Sequence, residues 1–306
     1  MSDKQIKELF KSNNLPEPND IQKVAVGFTN VIYSIDEQYI LKICNDVLNE
    51  ERFENEAAFY TLFKDMLPVP KVIIYDKSRK LIQSPYMIYE KIVGDNLYNV
   101  WHIYSDEQRR SIVEQLSGLL RTINKTDLSK LPGDVSLTGI ESWKDHILTK
   151  IEHHIKNLLA VGTISAKQAE QIRAYVGANS SALDEQKLAL VYWDAHFDNV
   201  LVREGRIVGL IDFERTEIAS IDFALDIVKR MVDHPKKYMS EHAEQFAKTE
   251  DYARLLEWFK EYSPELFAFK DIDTRLNLYA IEHDLKDLEG WPEVKELLDG
   301  VMQFVG

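Results

Sequence analysis

The stretch VYWDAHFDNVLVREGRIVGLIDF, residues 191–213, decides the fold. It predicts three short apolar strands, with polar side chains where the strands end. These side chains are Asp194, Asn199 and Asp212. Because residues at the ends of neighbouring short strands converge on one point, as residues inside a helix do not, we expect the three to form one site. The alternative is a set of turn and cap residues, for which Asp and Asn are the usual choices.

The chemistry of these side chains suits phosphoryl transfer. Mg²⁺ prefers hard oxygen ligands and takes only one or two from the protein, a role that Asn199 and Asp212 would fill. Asp194 would orient an attacking hydroxyl group and accept its proton. The D-x4-N spacing is weak support by itself, since a chain of this length contains it about once by chance. The support for a phosphoryl-transfer site comes from the position of these residues at the ends of short strands.

The composition argues against several classes of function. The 306 residues carry a formal net charge of -14, which disfavours a nucleic-acid partner because phosphate backbones bind positive surfaces. No apolar run approaches the roughly 18–20 residues of a membrane span, and residues 1–14 lack the apolar core of a signal peptide. We therefore expect a cytoplasmic protein with no membrane partner. The single cysteine, Cys44, excludes an internal disulfide and a cysteine-based zinc site.

Acidic residues are concentrated towards the C-terminal end. Residues 261–300 contain eleven Asp and Glu against four Lys and Arg, a net charge of -7. This pattern is typical of solvated helix faces in an acidic protein. It also fits a site that attracts a cationic small molecule. The sequence leaves both interpretations open.

The chain divides into two parts of different character. Residues 1–94 are rich in short β-branched runs with one helical pattern at 50–63, which predicts a small antiparallel sheet with one helix. Residues 95–306 are mainly helical, apart from the opening stretch. We therefore predict two lobes joined near Gly94. The helices predicted in the second lobe are one that begins at the capping box Ser105–Gln108, and others at 142–158, 165–177, 221–232, 240–262 and 273–287.

The order D-x4-N, followed by a D-F pair thirteen residues later, resembles the aminoglycoside phosphotransferase family. That family's loop usually reads H-x-D-L-H-x-x-N, and residues 192–199 read YWDAHFDN. Both Asp and Asn and the second His match, whereas Tyr192 and Trp193 depart from the pattern. The resemblance implies an α+β, bilobal protein-kinase-like fold. Its N-lobe is a small antiparallel sheet with one helix, and its C-lobe is larger and mainly helical.

The resemblance also implies a nucleotide site in the N-lobe. A kinase-like lobe needs a strand lysine for the α- and β-phosphates and a helical glutamate that holds it. Lys42, within the apolar run YILKI, matches the lysine, and Glu56 matches the glutamate in preference to Glu54. The backbone near Thr29 and Asn30 would approach the phosphates. The alternatives are a lysine that extends from an edge strand to water, and a hairpin turn without a ligand.

By the same resemblance, the segment MIYEKIVG, residues 87–94, is the hinge that binds the nucleotide base. The Glu90 carbonyl and the Ile92 N–H would bond the base through the backbone. Tyr89 occupies the gatekeeper position, where a large ring crowds the amino group of adenine and where some family members with tyrosine favour GTP. A core aromatic fits Tyr89 as well. The expected donor is therefore ATP or GTP, with Mg²⁺.

The predicted activity is transfer of the γ-phosphoryl group of the nucleotide to a hydroxyl group of a small molecule. The resemblance favours an aminoglycoside, and a cationic acceptor would suit the acidic C-lobe. The candidate acceptor contacts are five acidic side chains: Asp198, Glu214, Glu217, Glu282 and Asp284.

Other interpretations stay open. The same scaffold phosphorylates macrolides, choline, homoserine and sugars, so the fold alone does not select the acceptor. A nucleotide-binding module that no longer catalyses is the alternative from another class, and Tyr192 and Trp193 are its support. A protein kinase is disfavoured, because only nine residues separate Asp212 from Asp222 and no A-P-E sequence follows. The sequence does not indicate the oligomeric state.

Overall fold

The structure, a computed structural model, describes residues 1–26, 30–131, 141–237, 239 and 241–305. It confirms the predicted α+β fold, with a small antiparallel sheet near the N-terminus and helices through most of the remainder. Thr29, one of the predicted phosphate-binding residues, lies outside the described residues. Within the described part of the chain, no helix is long and apolar enough to cross a membrane.

Five antiparallel strands form the sheet of the N-lobe, in the order β1-β2-β3-β5-β4. Their β-branched and aromatic side chains suit a pleated, half-buried surface. β3 is the central strand, and its residue Lys42 pairs in register with Ile32 and Met87 on the neighbouring strands. The strand bounds are β1 (Ile21–Val26), β2 (Asn30–Ile35), β3 (Tyr39–Cys44), β4 (Val72–Asp76) and β5 (Tyr86–Glu90).

Two helices cover opposite faces of this sheet. α1 (Asp3–Ser12) begins with a capping box between Ser2 and Gln5 and buries three apolar side chains against the outer face. α2 (Glu50–Phe63), the predicted helix, packs on the other face, whose core continues into the C-lobe. The prediction of one helix in this lobe is therefore incomplete, because both faces of the sheet are apolar and α1 covers the second.

The strands of the opening stretch belong to two different sheets and not to one group. β7 (Leu188–Tyr192) pairs antiparallel with β10 (Thr216–Ser220), a strand that the sequence pattern did not indicate. β8 (Val200–Arg203) and β9 (Arg206–Leu210) form a hairpin, which the short strand β6 (Asp95–Asn96) extends. The polar ends of these strands nevertheless lie side by side.

The link between the lobes packs against the β8–β9 hairpin. Ile92 lies very close to Gly209. A Cβ atom added at Gly209 would lie 3.1 Å from two side-chain carbons of Ile92. Position 209 therefore favours glycine for reasons of space, and this close approach seats the link on the C-lobe. One continuous core runs from α2 into the C-lobe. The boundary between residues 94 and 95 stays a prediction.

Helices form the rest of the C-lobe, and most lie where the sequence predicts them. Two elements, α3 and α11, were not predicted. The bounds are α3 (Leu97–Trp101), α4 (Asp106–Asn124), α5 (Trp143–Val161), α6 (Ala166–Asn179), α7 (Ala224–Asp233), α8 (Glu241–Glu244), α9 (Leu255–Tyr262), α10 (Ile272–Gly290) and α11 (Lys295–Val305).

The prediction of one helix over 240–262 is wrong, because the structure has α8 and α9 with turns between them. Contacts of Asp251 with other helices accompany the break. Its carboxylate lies 2.8 Å from the Arg109 guanidinium, and its carbonyl accepts the indole N–H of Trp101 at 2.9 Å. These tertiary contacts outweigh the local preference for a continuous helix.

Candidate active site

Lys42 on β3 and Glu56 on α2 form a buried ion pair. The Lys42 ammonium donates to Glu56 Oε2 at 2.6 Å, and the two side chains are 3% and 0% exposed. Glu54, the other candidate from the sequence, pairs with Lys77 instead, nearer the surface. Since an unpaired charge would be costly in this position, the ion pair explains how an apolar run accommodates a lysine.

Asp212 joins this pair from the C-lobe. The Lys42 ammonium also donates to Asp212 Oδ1 at 3.2 Å. Burial opposes the charged ammonium, but Asp212 and Glu56 together raise the pKa of Lys42 well above its ordinary value. Lys42 therefore stays charged and lies between one carboxylate from each lobe.

Tyr60 of α2 completes the cluster, a role that the sequence analysis missed. Its hydroxyl donates to Glu56 Oε1 at 2.6 Å and accepts the Asp212 N–H at 2.8 Å. Asp212 has φ 63° and ψ 63°, a left-handed conformation that is uncommon outside glycine. Tyr60 holds the backbone of this strained residue while Lys42 holds its side chain. A detectable signal was the four-residue spacing of Tyr60 from Glu56, which places both on one helix face.

Tyr192 and Trp193, the two departures from the family loop, make specific buried contacts. The Tyr192 hydroxyl donates to the Ile211 carbonyl at 2.6 Å, and its ring stacks on Phe213 with centroids 4.4 Å apart. The Trp193 indole N–H donates to Asp226 Oδ2 at 3.0 Å. The loop that carries the candidate catalytic carboxylate is thus held by a separate contact at each of these two positions.

Asp194 lies in this loop, next to Asn199 and His196. Asn199 Nδ2 donates to the Asp194 carbonyl at 2.9 Å, and His196 Nε2 lies 3.4 Å from Asp194 Oδ1. Burial raises the pKa of Asp194 to about 6, with Arg215 acting against the rise and Asp212 adding to it. Burial lowers the pKa of His196, so the imidazole is neutral near pH 7 and does not itself compensate the Asp194 charge.

Glu214 and Asn30 approach each other across the cleft between the lobes. Asn30 Nδ2 donates to Glu214 Oε2 at 3.1 Å. Oxygen atoms of Glu56, Asp212 and Glu214 all lie within 4.8 Å of one another, close enough to share a metal ion. Burial and the Asp212 charge raise the pKa of Glu214. Glu214, predicted as an acceptor contact, therefore lies among the phosphate and metal candidates.

The predicted hinge residues follow β5, beside the strand that carries Lys42. Tyr89 is buried and packs edge-on against Tyr60, with ring centroids 5.9 Å apart, as a core aromatic does. Glu90 donates its N–H to the Lys71 carbonyl at 3.0 Å. The Ile92 N–H makes no hydrogen bond to the part of the chain that the structure describes, which leaves it available to a ligand.

The other four acidic candidates divide into two pairs. Glu217 and Glu282 line a cavity of about 320 Å³. Asp198 accepts a hydrogen bond from an asparagine of β6 at 2.7 Å, and Asp284 accepts one from an arginine of α7 at 2.8 Å. Among the described residues, neither Asp198 nor Asp284 lines the cavity. The structure thus brings two of these four side chains together and separates the other two from them.

A strand lysine paired with a helical glutamate in the small lobe, and joined to a carboxylate that follows a hairpin of the helical lobe, is the arrangement of a kinase-like phosphotransferase. A family model described as the phosphotransferase enzyme family matches residues 20–258, most of the chain. The protein belongs to this family, and it is an enzyme, a small-molecule kinase. The resemblance read from the catalytic-loop pattern is confirmed.

Several solved structures share the fold over nearly the whole chain. The ADP-bound crystal structure of aminoglycoside phosphotransferase APH(2'')-Ib has a TM-score of 0.72 at 16% identity and covers 100% of this chain and 97% of that chain. The GDP complex of wild-type aminoglycoside 2'-phosphotransferase-IIIa has a TM-score of 0.70 at 14% identity, with coverage of 97% and 95%.

A thermostable mutant of aminoglycoside phosphotransferase APH(4)-Ia, in ternary complex with AMP-PNP and hygromycin B, has a TM-score of 0.69 at 16% identity, with coverage of 99% and 95%. At these identities the likeness establishes the fold alone. No curated protein matches the sequence.

Proposed function

We propose that this enzyme transfers the γ-phosphoryl group of ATP or GTP to a hydroxyl group of a small molecule. The observation that carries the proposal is the contact of Lys42 with both Glu56 and Asp212, which lie 14 and 170 positions away in the chain. This arrangement supports a triphosphate site where the two lobes meet. The similar structures were solved with ADP, GDP and AMP-PNP, which supports a nucleotide donor.

The nucleotide would lie in the cleft with its phosphates at Lys42. The ammonium would bind the α- and β-phosphates, while Asn30 and the backbone near Thr29 would approach them from the N-lobe. The Glu90 carbonyl and the Ile92 N–H would bond the base. Both nucleotides belong in any test, because the bulky Tyr89 at the gatekeeper position disfavours the amino group of adenine.

The oxygen atoms beside Lys42 fit Mg²⁺. Asp212 and Glu214 offer carboxylates, and Asn199 offers its amide oxygen because its Nδ2 is engaged by the Asp194 carbonyl. These are the hard ligands that Mg²⁺ prefers when phosphates and water complete its shell. Asn199 and Asp212 would hold the ion, with Glu214 beside them. When bound, Mg²⁺ supplies neutralisation of the charge on the phosphate oxygens.

Asp194 would position the acceptor for in-line attack. The acceptor oxygen forms a bond to the γ-phosphorus, and the bond from that phosphorus to the bridging oxygen breaks, its electron pair leaving with the nucleoside diphosphate. The hydroxyl proton passes to a carboxylate oxygen of Asp194. A pKa of about 6 leaves this carboxyl ionised at pH 7 and basic enough to receive the proton.

The class of acceptor depends on the cavity beside the catalytic loop. An aminoglycoside is one candidate, supported by the hygromycin B complex of a similar structure. Of the five predicted acidic contacts, only three line the cavity, and Glu282 among them is already paired with Lys150 at 2.8 Å. The aminoglycoside acceptor therefore stays a prediction, alongside macrolides, amino alcohols, homoserine and sugars.

Asp194→Asn tests the proposal. We expect kcat to fall by about 10²–10⁴-fold with the fold intact, because an amide does not accept the proton. Release of ADP and GDP with Mg²⁺ is the readout, with and without a panel of acceptors, and thermal unfolding checks the fold. Since only the ionised carboxylate acts, the kcat/KM of the wild type should rise with pH through about 6. Asp198→Asn, in the same loop, is the matched control.

Two outcomes would contradict the proposal. Unchanged transfer in Asp194→Asn would remove that carboxylate from the step. A wild type that binds nucleotide but shows no Mg²⁺-dependent hydrolysis, with or without acceptors, would favour a nucleotide-binding module without catalysis.

A further inference from the structure

The cavity of about 320 Å³ adjoins the loop that carries Asp194, because Trp193 forms part of its wall. The other walls come from the beginning of α2, from α5, from β10 and from α10. Its volume lies at the small end of the range for small-molecule sites. We call it the basic pocket after the four basic side chains that line it alongside four carboxylates: Arg52, Lys150, Arg215 and Lys286.

Three of these cations have no ionic partner in the chain as the structure describes it. Lys150 is paired, because its ammonium lies 2.8 Å from Glu282 Oε1. Arg52, Arg215 and Lys286 make neither an ion pair nor a hydrogen bond with the described residues. The Arg215 guanidinium lies over the Trp193 ring, 5.5 Å from its centroid, and this is a cation–π contact and not an ion pair. At Arg52, Arg215 and Lys286 the basic pocket therefore presents positive charge that no described carboxylate contacts directly.

These cations also lie close enough to act on one another. Burial, and after it the charge of Arg215, lowers the pKa of Lys286 to about 8. Lys150 and Arg52 act in the same direction, and only Glu282 opposes them. Like charges held together in a half-buried wall raise the free energy of the empty site, and a bound anion would offset that cost.

The carboxylates of the wall compensate these cations only in part. Glu282 forms an ion pair with Lys150, and Glu214 lies in the carboxylate cluster beside Lys42. Glu51 is exposed, and so is the neighbouring Arg52. Burial raises the pKa of Glu217, so its ionised form is disfavoured in this position. The wall is thus poorly suited to a ligand with several ammonium groups.

Three buried polar atoms in the same wall lack a hydrogen-bond partner among the described residues. One is Glu282 Oε1, which lies 2.8 Å from the Lys150 ammonium, and the other two are neutral. They are His146 Nε2 and Thr216 Oγ1. Burial lowers the pKa of His146, so its imidazole is neutral and can either donate or accept. Since buried polar atoms in proteins are nearly always paired, these two atoms indicate a polar ligand.

We propose that the basic pocket binds an anionic group of the acceptor, a carboxylate or a phosphate monoester, through Lys286, Arg215 and Arg52. The acceptor is then a small hydroxy acid or a phosphorylated polyol, whose hydroxyl group faces Asp194. This inference rests on the proposed phosphotransfer and replaces a polycationic acceptor with an anionic one.

A kinetic comparison tests the acceptor class. The acceptors are D-glycerate for the carboxylate, glycerol 3-phosphate and glucose 6-phosphate for the phosphate, kanamycin and choline for the cations, and glycerol as the neutral compound. We expect transfer to one of the two anionic sets. Lys286→Gln should raise the KM for that acceptor about tenfold or more and change kcat less, because one charge-assisted contact is lost. Lys286→Arg should largely restore the KM.

Two further variants sharpen this comparison. Arg215→Gln should raise the same KM and serves in place of Lys286→Gln if that variant does not fold. Lys144→Gln is the matched control, because Lys144 lies on α5 like Lys150 but pairs with Asp184 and is not part of the pocket wall. Its KM should equal that of the wild type. A preference for kanamycin, choline or glycerol over every acid would overturn the inference.

A binding measurement separates this inference from the proposed function. Calorimetric titration of D-glycerate or inorganic phosphate into protein saturated with Mg²⁺ and AMP-PNP should show binding that Lys286→Gln weakens about tenfold or more. Folded wild-type protein that binds AMP-PNP but neither anion would overturn the inference. If the proposed function fails instead, no acceptor is phosphorylated, while the Lys286-dependent binding of the anion persists.

Discussion

At position 192 a tyrosine stands where the family's loop usually has a histidine. Its hydroxyl donates to the Ile211 carbonyl at 2.6 Å, and its ring stacks on Phe213. Burial raises the pKa of Tyr192 well above its ordinary value, so the hydroxyl stays protonated and remains a donor. The tyrosine thereby ties the loop of Asp194 to the backbone that leads into Asp212. A substitution that looked disruptive in the sequence supplies this link by its own chemistry.

Tyr192→Phe removes the hydrogen bond and keeps the stacking. We expect the free energy of unfolding to fall by about 1–3 kcal/mol, because the Ile211 carbonyl loses a buried partner. The kcat should fall, because Asp194 and Asp212 lose their common anchor. The KM for the nucleotide should change less than kcat. Urea unfolding and steady-state kinetics measure the two effects, with Tyr175→Phe on α6 as the control. An unchanged kcat in the folded variant would show that the link does not position the site.

Among the elements, α1 has the clearest structural role outside the site. It covers the outer face of the N-lobe sheet and forms a separate small core there. The Phe10 side chain is fully buried and meets Tyr39 edge-on, with ring centroids 5.9 Å apart. Because Lys42 extends from the strand that carries Tyr39, this small core supports the sheet from behind the proposed nucleotide cleft.

Phe10→Ala should destabilise the protein by about 3–5 kcal/mol, the usual cost of truncating a buried phenylalanine. Chemical unfolding measures this loss of free energy. Lys11→Ala, at the exposed neighbouring position of the same helix, should change it by less than about 0.5 kcal/mol. A loss below about 1 kcal/mol for Phe10→Ala would mean that α1 contributes little to the stability of the sheet.

Across the whole molecule, charge is distributed unevenly. The chain carries a net charge of -14, and the acidic surplus near the C-terminal end fitted either solvated helix faces or a site for a cationic acceptor on sequence grounds. The fold instead pairs Asp284 and Glu282 with basic residues of neighbouring helices and leaves Lys286 without a direct partner among the described residues. The total charge of a lobe therefore says little about the charge of its pocket.

The contact of Lys42 with Asp212 joins the two lobes, and a ligand held there should stabilise both. At a hundredfold excess over its Kd, AMP-PNP with Mg²⁺ should add about 2.7 kcal/mol to the free energy of unfolding. Removing Mg²⁺ with a chelator should lower this gain, because the phosphates lose their counter-ion. Thermal unfolding measures both states.

Asp212→Asn should abolish the part of this stabilisation that depends on Mg²⁺, since a carboxylate ligand is lost. Asp233→Asn, a surface residue of α7 paired with Lys229, should retain it. An equal response of the two variants to Mg²⁺ would place the ion elsewhere.

The sequence by itself determined the fold class, the helix over 50–63 and the order of Lys42, Asp194 and Asp212 along the chain. It could do so because hydrophobic periodicity, turn chemistry and motif spacing are local properties. Only the tertiary structure decided that Tyr60 bridges the lobes, that β7 pairs with β10, and that Lys286 and Arg215 line one pocket. Such contacts join positions that are distant in the chain. Local sequence patterns do not specify which of several plausible partners will pack together, because tertiary packing makes that selection.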